Sequence, residues 1–224
     1  MNSTTTGRAA QSGSSGHRAE RSDAVRNRGK LLEAAAEVFA ERGTEASIAE
    51  IAERAGVGKG TVFRHFATKE DLLASIVIDL VDGLAGTARR LAQDDDASSS
   101  LYDFMATGVE LLVRDRAFCE VVGEPSLADD RLRSAIARLV DQVQVLVSRA
   151  VEQGVIRPDL TGTDVVLLLA GVQQTAQPLL TAHPDLWRRY LRLVVDGMRF
   201  NGDPLPALPA PPGGLTDDLE RWRA

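Results

Sequence analysis

The chain is poor in the residues that build cross-links and metal centres. Its 224 residues include one cysteine, Cys119, and three histidines, His17, His65 and His183. A single cysteine excludes an intrachain disulfide and a cysteine-based metal cluster. Cys119 lies in an apolar stretch, where the role of a small buried side chain is expected and a redox sensor is the alternative. Because there is also no Ser/His/Asp grouping and no glycine-rich phosphate loop, the sequence does not favour an enzyme and predicts no metal or cofactor.

Long apolar runs are also missing. The apolar run 165–172 is far too short to span a bilayer. The first residues have no apolar core of the kind that a signal peptide carries. These absences predict a cytoplasmic protein.

Aromatic residues make up only 4% of the chain, but apolar residues make up 44%, which is enough for a core. They recur every three or four residues, and β-branched alternation is absent, so we predict an all-α fold of about nine helices. Residues 215–222 could add one short helix. The nine predicted helices cover residues 23–42, 47–55, 59–65, 68–91, 99–115, 117–122, 129–153, 161–180 and 184–200.

Charge is unevenly spread along the chain. The net charge is −6 overall, but residues 1–70 carry +2 and residues 71–224 carry −8. A mildly basic head on an acidic body fits a head that binds a polyanion such as DNA, and chance unevenness is the alternative. The Ser/Thr/Gly-rich segment 1–22 carries Arg8, Arg18 and Arg21. We expect a solvated tail there, and an arm that touches phosphate or the minor groove is the alternative.

The segment 48–66 has the pattern of two short helices that meet across a glycine turn. Ala52 is small where the helices must cross closely, and Gly56 can take the positive φ that a tight turn demands. Val62 and Phe66 are placed to pack the second helix onto the rest. A helical hairpin that merely packs is the alternative reading of the same pattern.

Packing in this way leaves one face of the second helix turned outward. A short helix held so can enter the major groove with its N-terminal end toward the bases. Arg64 is suited to a bidentate pair with guanine, Lys59 to guanine or phosphate, and the helix N-termini at Ser47 and Gly58 to phosphate. The predicted DNA-contacting residues are Ser47, Gly58, Lys59, Gly60, Thr61, Phe63, Arg64, His65 and Lys69.

The stretch 31–73 resembles the DNA-binding domain of the TetR family of bacterial regulators. The matching runs are 32–39, 51–57 and 60–66, followed by Lys69-Glu70. The resemblance departs from the family pattern in three places: Phe63 replaces the usual tyrosine, Gly58 replaces a common serine, and the loop 44–46 looks one residue short.

The resemblance implies a domain plan. Residues 1–22 would be a disordered tail, 23–67 a helix-turn-helix DNA-binding domain, 68–200 a helical body that dimerises and binds a ligand, and 201–224 a proline-rich tail. The family's dimer forms from its last two long helices. The segment 186–199 is similar to the SbtR-like subgroup of TetR C-terminal domains.

Two sets of body residues follow from the implied plan. The alternative for the interface set is that these faces only fill the core of one subunit. The predicted interface residues are Val172, Thr175, Leu179, Trp187, Tyr190, Leu191, Val194 and Met198. The predicted ligand-pocket residues are Phe104, Met105, Phe118, Cys119, Leu139, Val143, Leu168, Gln173, Gln174 and Gln177. The amides would orient a ligand, and the alternative is that these glutamines lie in a dimer interface or face solvent.

The implied function is a ligand-responsive regulator, in the family's usual mode a repressor. Its expected partners are a near-palindromic double-stranded DNA operator, a second copy of the chain and a small-molecule effector. Effector binding would tilt the fourth helix and spoil the spacing of the two heads. A helical interaction module that has kept the fold without specific DNA binding is the alternative.

Overall fold

The computed structural model of the chain describes residues 14–114, 130–199 and 202–206. Within these ranges there is no strand, which confirms the all-α prediction. Short 3-10 turns lie at Gly43–Glu45 and Gln177–Leu179. The described part holds eight α-helices: α1 (Ser14–Arg42), α2 (Ile48–Arg54), α3 (Lys59–His65), α4 (Lys69–Leu91), α5 (Ala97–Arg114), α6 (Asp130–Glu152), α7 (Gly162–Ala176) and α8 (Leu186–Gly197).

Some boundaries differ from the expected ones. Helix α1 begins at Ser14, so residues 14–22, which we expected in a disordered tail, are helical. No glycine or proline stands between residues 17 and 28 to stop the helix from extending in that direction. At the other end of the chain α7 stops at Ala176 and becomes a 3-10 turn, because Pro178 lacks the N–H that would continue an α-helix. The expected helices at 117–122 and 215–222 lie outside the described residues.

The buried side chains form one continuous core that runs from the head into the body. Helix α1 packs on α2 and α4, α2 packs on α3, and α4 packs along α6. Helices α5, α6 and α8 surround α7. The long helix α4 therefore belongs to both parts of the molecule.

The crossing of α6 and α7 is unusually close at Gly162. The Gly162 N–H donates to Gln144 Oε1 over 2.7 Å. A Cβ at this position would lie 2.7 Å from the carbonyl oxygen of Val140 and 2.8 Å from the Gln144 nitrogen. Since both of these are backbone atoms, only glycine fits without moving the helices.

No described helix is long and apolar enough to cross a lipid bilayer. Among the described residues there is also no group of three His, Cys, Asp or Glu side chains placed to hold a metal ion.

Candidate nucleic-acid interface

Helix α2 begins with a complete capping box, as the Ser47…Glu50 spacing predicts. Ser47 Oγ accepts from the Glu50 N–H over 3.3 Å, and the Ser47 N–H donates to Glu50 Oε2 over 2.9 Å. The Ser47 N–H and the Ser47 hydroxyl, which donates to Glu50 Oε2 over 2.8 Å, lower the pKa of the Glu50 carboxyl, and Arg42 adds an ion pair at 2.7 Å. The start of α2 is therefore fixed by local bonds as well as by burial.

The turn between α2 and α3 depends on Gly56. Its φ is +68°, in the left-handed region where a side chain is strained. The Gly56 N–H donates to the Glu53 carbonyl and the Val57 N–H to the Ala52 carbonyl, which closes the end of α2. The chain reverses its direction at this one residue, so the turn between α2 and α3 is short. The predicted positive φ at Gly56 is confirmed.

Helix α3 has two sharply different faces. Val62 is 0% exposed and Phe66, which ends the helix, is 4% exposed. On the opposite face Lys59, Gly60 and Arg64 are exposed. A Cβ at Gly60 would meet nothing within 4 Å, so an approaching surface could come close to the backbone there.

The exposed face of α3 also presents an aromatic ring. Phe63 is 51% exposed, which is high for a large apolar side chain. Arg64 folds back on its own helix, where Nε donates to the Gly60 carbonyl over 3.2 Å and Nη2 to Thr61 Oγ1 over 3.4 Å. Both bonds are exposed, so the guanidinium can leave them for a stronger acceptor at little cost.

The remaining predicted contact residues surround this face. Gly58 is the extended N-cap of α3 and provides no side-chain cap, while Thr61 and His65 are half-buried. Ser47 lies at the N-terminus of α2, and Lys69, half-buried, is the first residue of α4. The structure thus brings the set from Gly58 to His65 together on one short helix.

The head is braced by ion pairs that the sequence reasoning missed. Arg54 of α2 bonds Glu37 over 3.1 Å and Glu41 over 2.9 Å, both on α1. These carboxylates raise the pKa of Arg54, and Arg54 in turn lowers that of Glu41. The available signal was the spacing of Glu37 and Glu41, which are four residues apart and so lie on one face of α1. These pairs join α2 to α1 at the surface of the head.

A further contact fixes the end of the reading helix. The Arg28 guanidinium of α1 lies 5.1 Å from the centre of the Phe66 ring, within the range of a cation–π interaction.

The predicted pocket residues are mostly core in the structure. Among the described ones, Gln173 is buried, Leu168 is half-buried, and Gln174 and Gln177 are exposed. The Gln173 amide donates to Gln177 Oε1 over 2.6 Å, so these two amides bond each other. Phe118 and Cys119 lie outside the described residues. The fully or almost fully buried apolar members are Phe104, Met105, Leu139 and Val143.

The predicted interface set divides into an inner and an outer half. The inner half is buried in the subunit's own core, because the broad apolar face of α8 packs on α5 and α7. An interface through these four side chains stays a prediction. Thr175 and Leu179 are exposed, and Tyr190 and Val194 are half-buried. The inner residues are Val172, Trp187, Leu191 and Met198.

The sequence reasoning missed two outward leucines on the same helices. Leu167 on α7 is 41% exposed and Leu193 on α8 is 58% exposed. Leu193 is three residues after Tyr190, which places it on the outward side of α8 beside Val194. The available signal was a second apolar stripe on α8, formed by Tyr190, Leu193 and Val194. It was passed over because the first stripe, with Trp187 and Leu191, already explained how α8 packs in the core.

Two family models match the chain. Residues 31–76 match the model described as bacterial regulatory proteins of the tetR family. Residues 96–200 match the model described as the C-terminal domain of SbtR-like transcriptional regulators.

Relatives of known class and solved structures agree with these matches. The transcriptional repressor KstR2 of Mycobacterium tuberculosis is 29% identical over 198 residues, which cover 78% of this chain and 94% of KstR2. The transcriptional activator FasR of Mycolicibacterium smegmatis is 34% identical over 134 residues, covering 54% of this chain and 59% of FasR. The crystal structure of a TetR regulatory protein from Mycobacterium vanbaalenii is 30% identical, with a TM-score of 0.60 over 80% of this chain and 99% of that one.

The chain therefore belongs to the TetR family and is a DNA-binding transcriptional regulator with a helix-turn-helix head. The resemblance found in residues 31–73, and the similarity of 186–199 to the SbtR-like subgroup, are both confirmed.

Proposed function

We propose that the chain is a homodimeric repressor that places α3 of each subunit in the major groove of a near-palindromic operator and releases it when an effector binds the helical body. The observation that carries the proposal is the division of α3 into a buried side and an exposed side. Val62 and Phe66 hold the helix from within, while Lys59, Gly60 and Arg64 face outward.

The exposed side of α3 has the chemistry that base edges require. A guanidinium can donate two parallel bonds to O6 and N7 of guanine, a pattern that only a G·C pair presents in the major groove. Lys59, in the first turn, is placed to reach a guanine or a phosphate, and Gly60 permits close approach of the backbone. Phe63 supplies an apolar surface for a thymine methyl or a sugar.

The outward stripes of α7 and α8 support a dimer. Leu167 on α7 and Leu179 in the 3-10 turn that follows it leave apolar surface uncovered in one subunit, as does Leu193 on α8 with the half-buried Tyr190 and Val194. Large exposed apolar side chains gathered on two adjacent helices are typical of a subunit interface. A second copy with the same stripes would cover them by two-fold symmetry.

The proposed effector site lies in the body, near the first turns of α5. Ser100 is 2% exposed, and its hydroxyl has no hydrogen-bond partner within the described part of the chain. It precedes the predicted pocket residue Phe104 by four positions and so lies on the same face of α5. Since a buried hydroxyl without a partner costs free energy, an effector oxygen bonded to it would favour the bound state.

Repression rather than activation is proposed because KstR2, which covers most of this chain, is a repressor. FasR, an activator, matches a shorter part of the chain.

The test uses a duplex selected by the full chain from a random pool. Replacing both Lys59 and Arg64 by alanine is expected to weaken binding by roughly 1000-fold or more, because two residues in each of two subunits lose contacts worth about 1–3 kcal/mol apiece. The control variant replaces Arg114 and Arg199, two exposed arginines of the body, and removes the same charge.

Fluorescence anisotropy at several salt concentrations gives the affinities, and sedimentation equilibrium gives the oligomeric state. Loss of binding in the α3 variant alone, with dimers retained in all, supports the proposal. Equal binding by both variants would instead indicate an interaction module, and a monomeric wild-type chain would overturn the dimer.

A further inference from the structure

Three arginines of α6 bond α4 or the residues just after it, along the seam between the two helices. Arg131, Arg138 and Arg149, which we call the arginine row, are seven and eleven residues apart. Seven residues are close to two helical turns and eleven are close to three, so the row lies on one face of α6.

The partners of the row follow one another along α4 in the same order. Arg131 bonds Asp71 over 3.4 Å, and Arg149 bonds the carbonyl oxygens of Ala92 and, over 2.5 Å, Asp94. The two helices therefore run in the same direction, and the arginine row joins them at the first turn of α4, at its middle and just past its end.

The middle contact is the best formed. Arg138 Nη2 donates to both carboxylate oxygens of Asp82, over 2.7 and 3.0 Å, and Nε donates to Oδ1 over 3.2 Å. Such a bidentate pair fixes direction as well as distance. The sequence places these residues 56 positions apart, so nothing local dictates the pair.

The ion pair adds direction to a seam that is otherwise held by apolar packing. The buried face of α4 carries leucine, valine, isoleucine and alanine side chains, and burial of such surface is not directional. Arg138 lines two open clefts of about 360 and 340 Å³, one toward Arg131 and one toward Gln142. The Arg138–Asp82 pair thus crosses the exposed edge of the seam, above the buried side chains of Val81 and Leu139.

Any shift of α4 reaches the reading helix directly. Helix α3 ends at His65, and α4 begins at Lys69 with Thr68 as its cap, which accepts from the Asp71 N–H over 3.0 Å. The link between the two helices is only residues 66–68, and Phe66 is buried in the head. The angle and height of α4 therefore set where α3 stands relative to the body.

We propose that Arg138 and Asp82 are positioning residues that determine which half-site spacing the dimer accepts. The inference rests on the proposed binding of a near-palindromic operator by a dimer. A dimer with a rigid α4 presents its two reading helices at one separation, whereas loss of the pair lets α4 slide or turn and spreads that separation over a range.

The test compares three duplexes: the operator selected by the wild-type chain, and the same operator with one base pair inserted or removed at its centre. One base pair changes the half-site separation by about 3.4 Å and the relative rotation by roughly 34°. Affinities are measured by anisotropy with full-length Arg138→Gln, Asp82→Asn and the exchanged pair Asp82→Arg/Arg138→Asp. The measured quantity is the ratio of affinities for the correct and altered spacings.

We expect each single variant to lower this ratio by about two- to fivefold, the effect typical of one exposed ion pair, and the exchanged pair to restore part of it. Arg114→Gln, which loses an ion pair within α5 to Glu110, is the matched control and should keep the wild-type ratio. Binding to a single half-site should be equal in all variants, because the head is untouched.

The outcomes separate the inference from the function on which it rests. A wild-type ratio in both single variants would overturn the inference, as would a fall in half-site binding equal to the fall on the full operator. A wild-type chain that binds duplexes without any spacing preference would overturn it too. A wild-type chain that selects no duplex would refute the proposed function itself.

Discussion

The close crossing of α6 and α7 allows the effect of one methyl group to be worked out from distances. In Gly162→Ala the new Cβ would lie 2.7 Å from the Val140 carbonyl oxygen and 2.8 Å from the Gln144 nitrogen. To restore an ordinary 3.4 Å contact, α7 must move away from α6 by roughly 0.7 Å. That movement also stretches the 2.7 Å bond from Gly162 to Gln144.

Overpacking of this kind costs about 1–3 kcal/mol. The gain in helix propensity offsets it only slightly, because Gly162 is the first residue of α7 rather than an interior one. We therefore expect Gly162→Ala to destabilise the protein by about 1–2 kcal/mol.

Gly83→Ala provides the matched control. Gly83 lies within α4 and a Cβ there would meet nothing within 4 Å. The same substitution should stabilise here by about 0.5–1 kcal/mol, since alanine loses less backbone entropy in a helix. Urea unfolding of both variants at one protein concentration measures the difference. If both variants gain stability to the same degree, the close crossing at Gly162 does not exist as described.

Three further predictions concern the head and the loop after α6. Ser47→Ala should cost about 1 kcal/mol in urea unfolding, since the capping box of α2 is lost, and Ser47→Asp should restore most of it. Phe63→Tyr should strengthen operator binding, measured by anisotropy, by about 0.5–1.5 kcal/mol, because the added hydroxyl on this exposed ring can donate to a DNA phosphate. An unchanged affinity would mean that the ring lies away from the DNA backbone. Arg157 and the N–H of Leu205 hold the pKa of Asp159 well below its usual value, so the ion pair stabilises above pH about 4 and is lost as the pH falls further. The difference in melting temperature between the wild-type chain and Arg157→Gln should therefore be smaller at pH 3 than at pH 6. An equal difference at both pH values would contradict a stabilising Arg157–Asp159 ion pair.

The reading head could be predicted from sequence because its determinants are local. Ser47 and Glu50 are three residues apart, Gly56 closes a turn within one residue, and Val62 and Phe66 follow the helical period. Each of these features depends on neighbours in the chain, so the pattern and the structure agree.

The body could be predicted only in outline, because its specific features depend on distant residues. Periodicity showed that α8 is apolar, but not that Trp187 and Leu191 face the subunit core while Leu193 faces outward. The Arg138–Asp82 pair joins two helices with a third between them in sequence, and no spacing rule indicates it. The early start of α1 was missed because its first residues, Ser14-Ser15-Gly16, have low helix propensity and read as part of the tail.

The most direct test of the central claim is methylation protection of the selected operator by dimethyl sulfate. This reagent methylates guanine N7, which lies in the major groove, and adenine N3, which lies in the minor groove. The account predicts protected guanine N7 atoms in two patches, one in each half-site, and loss of both patches when Lys59 and Arg64 are replaced by alanine. Protection confined to adenine N3, or guanine protection that survives the double substitution, would contradict it.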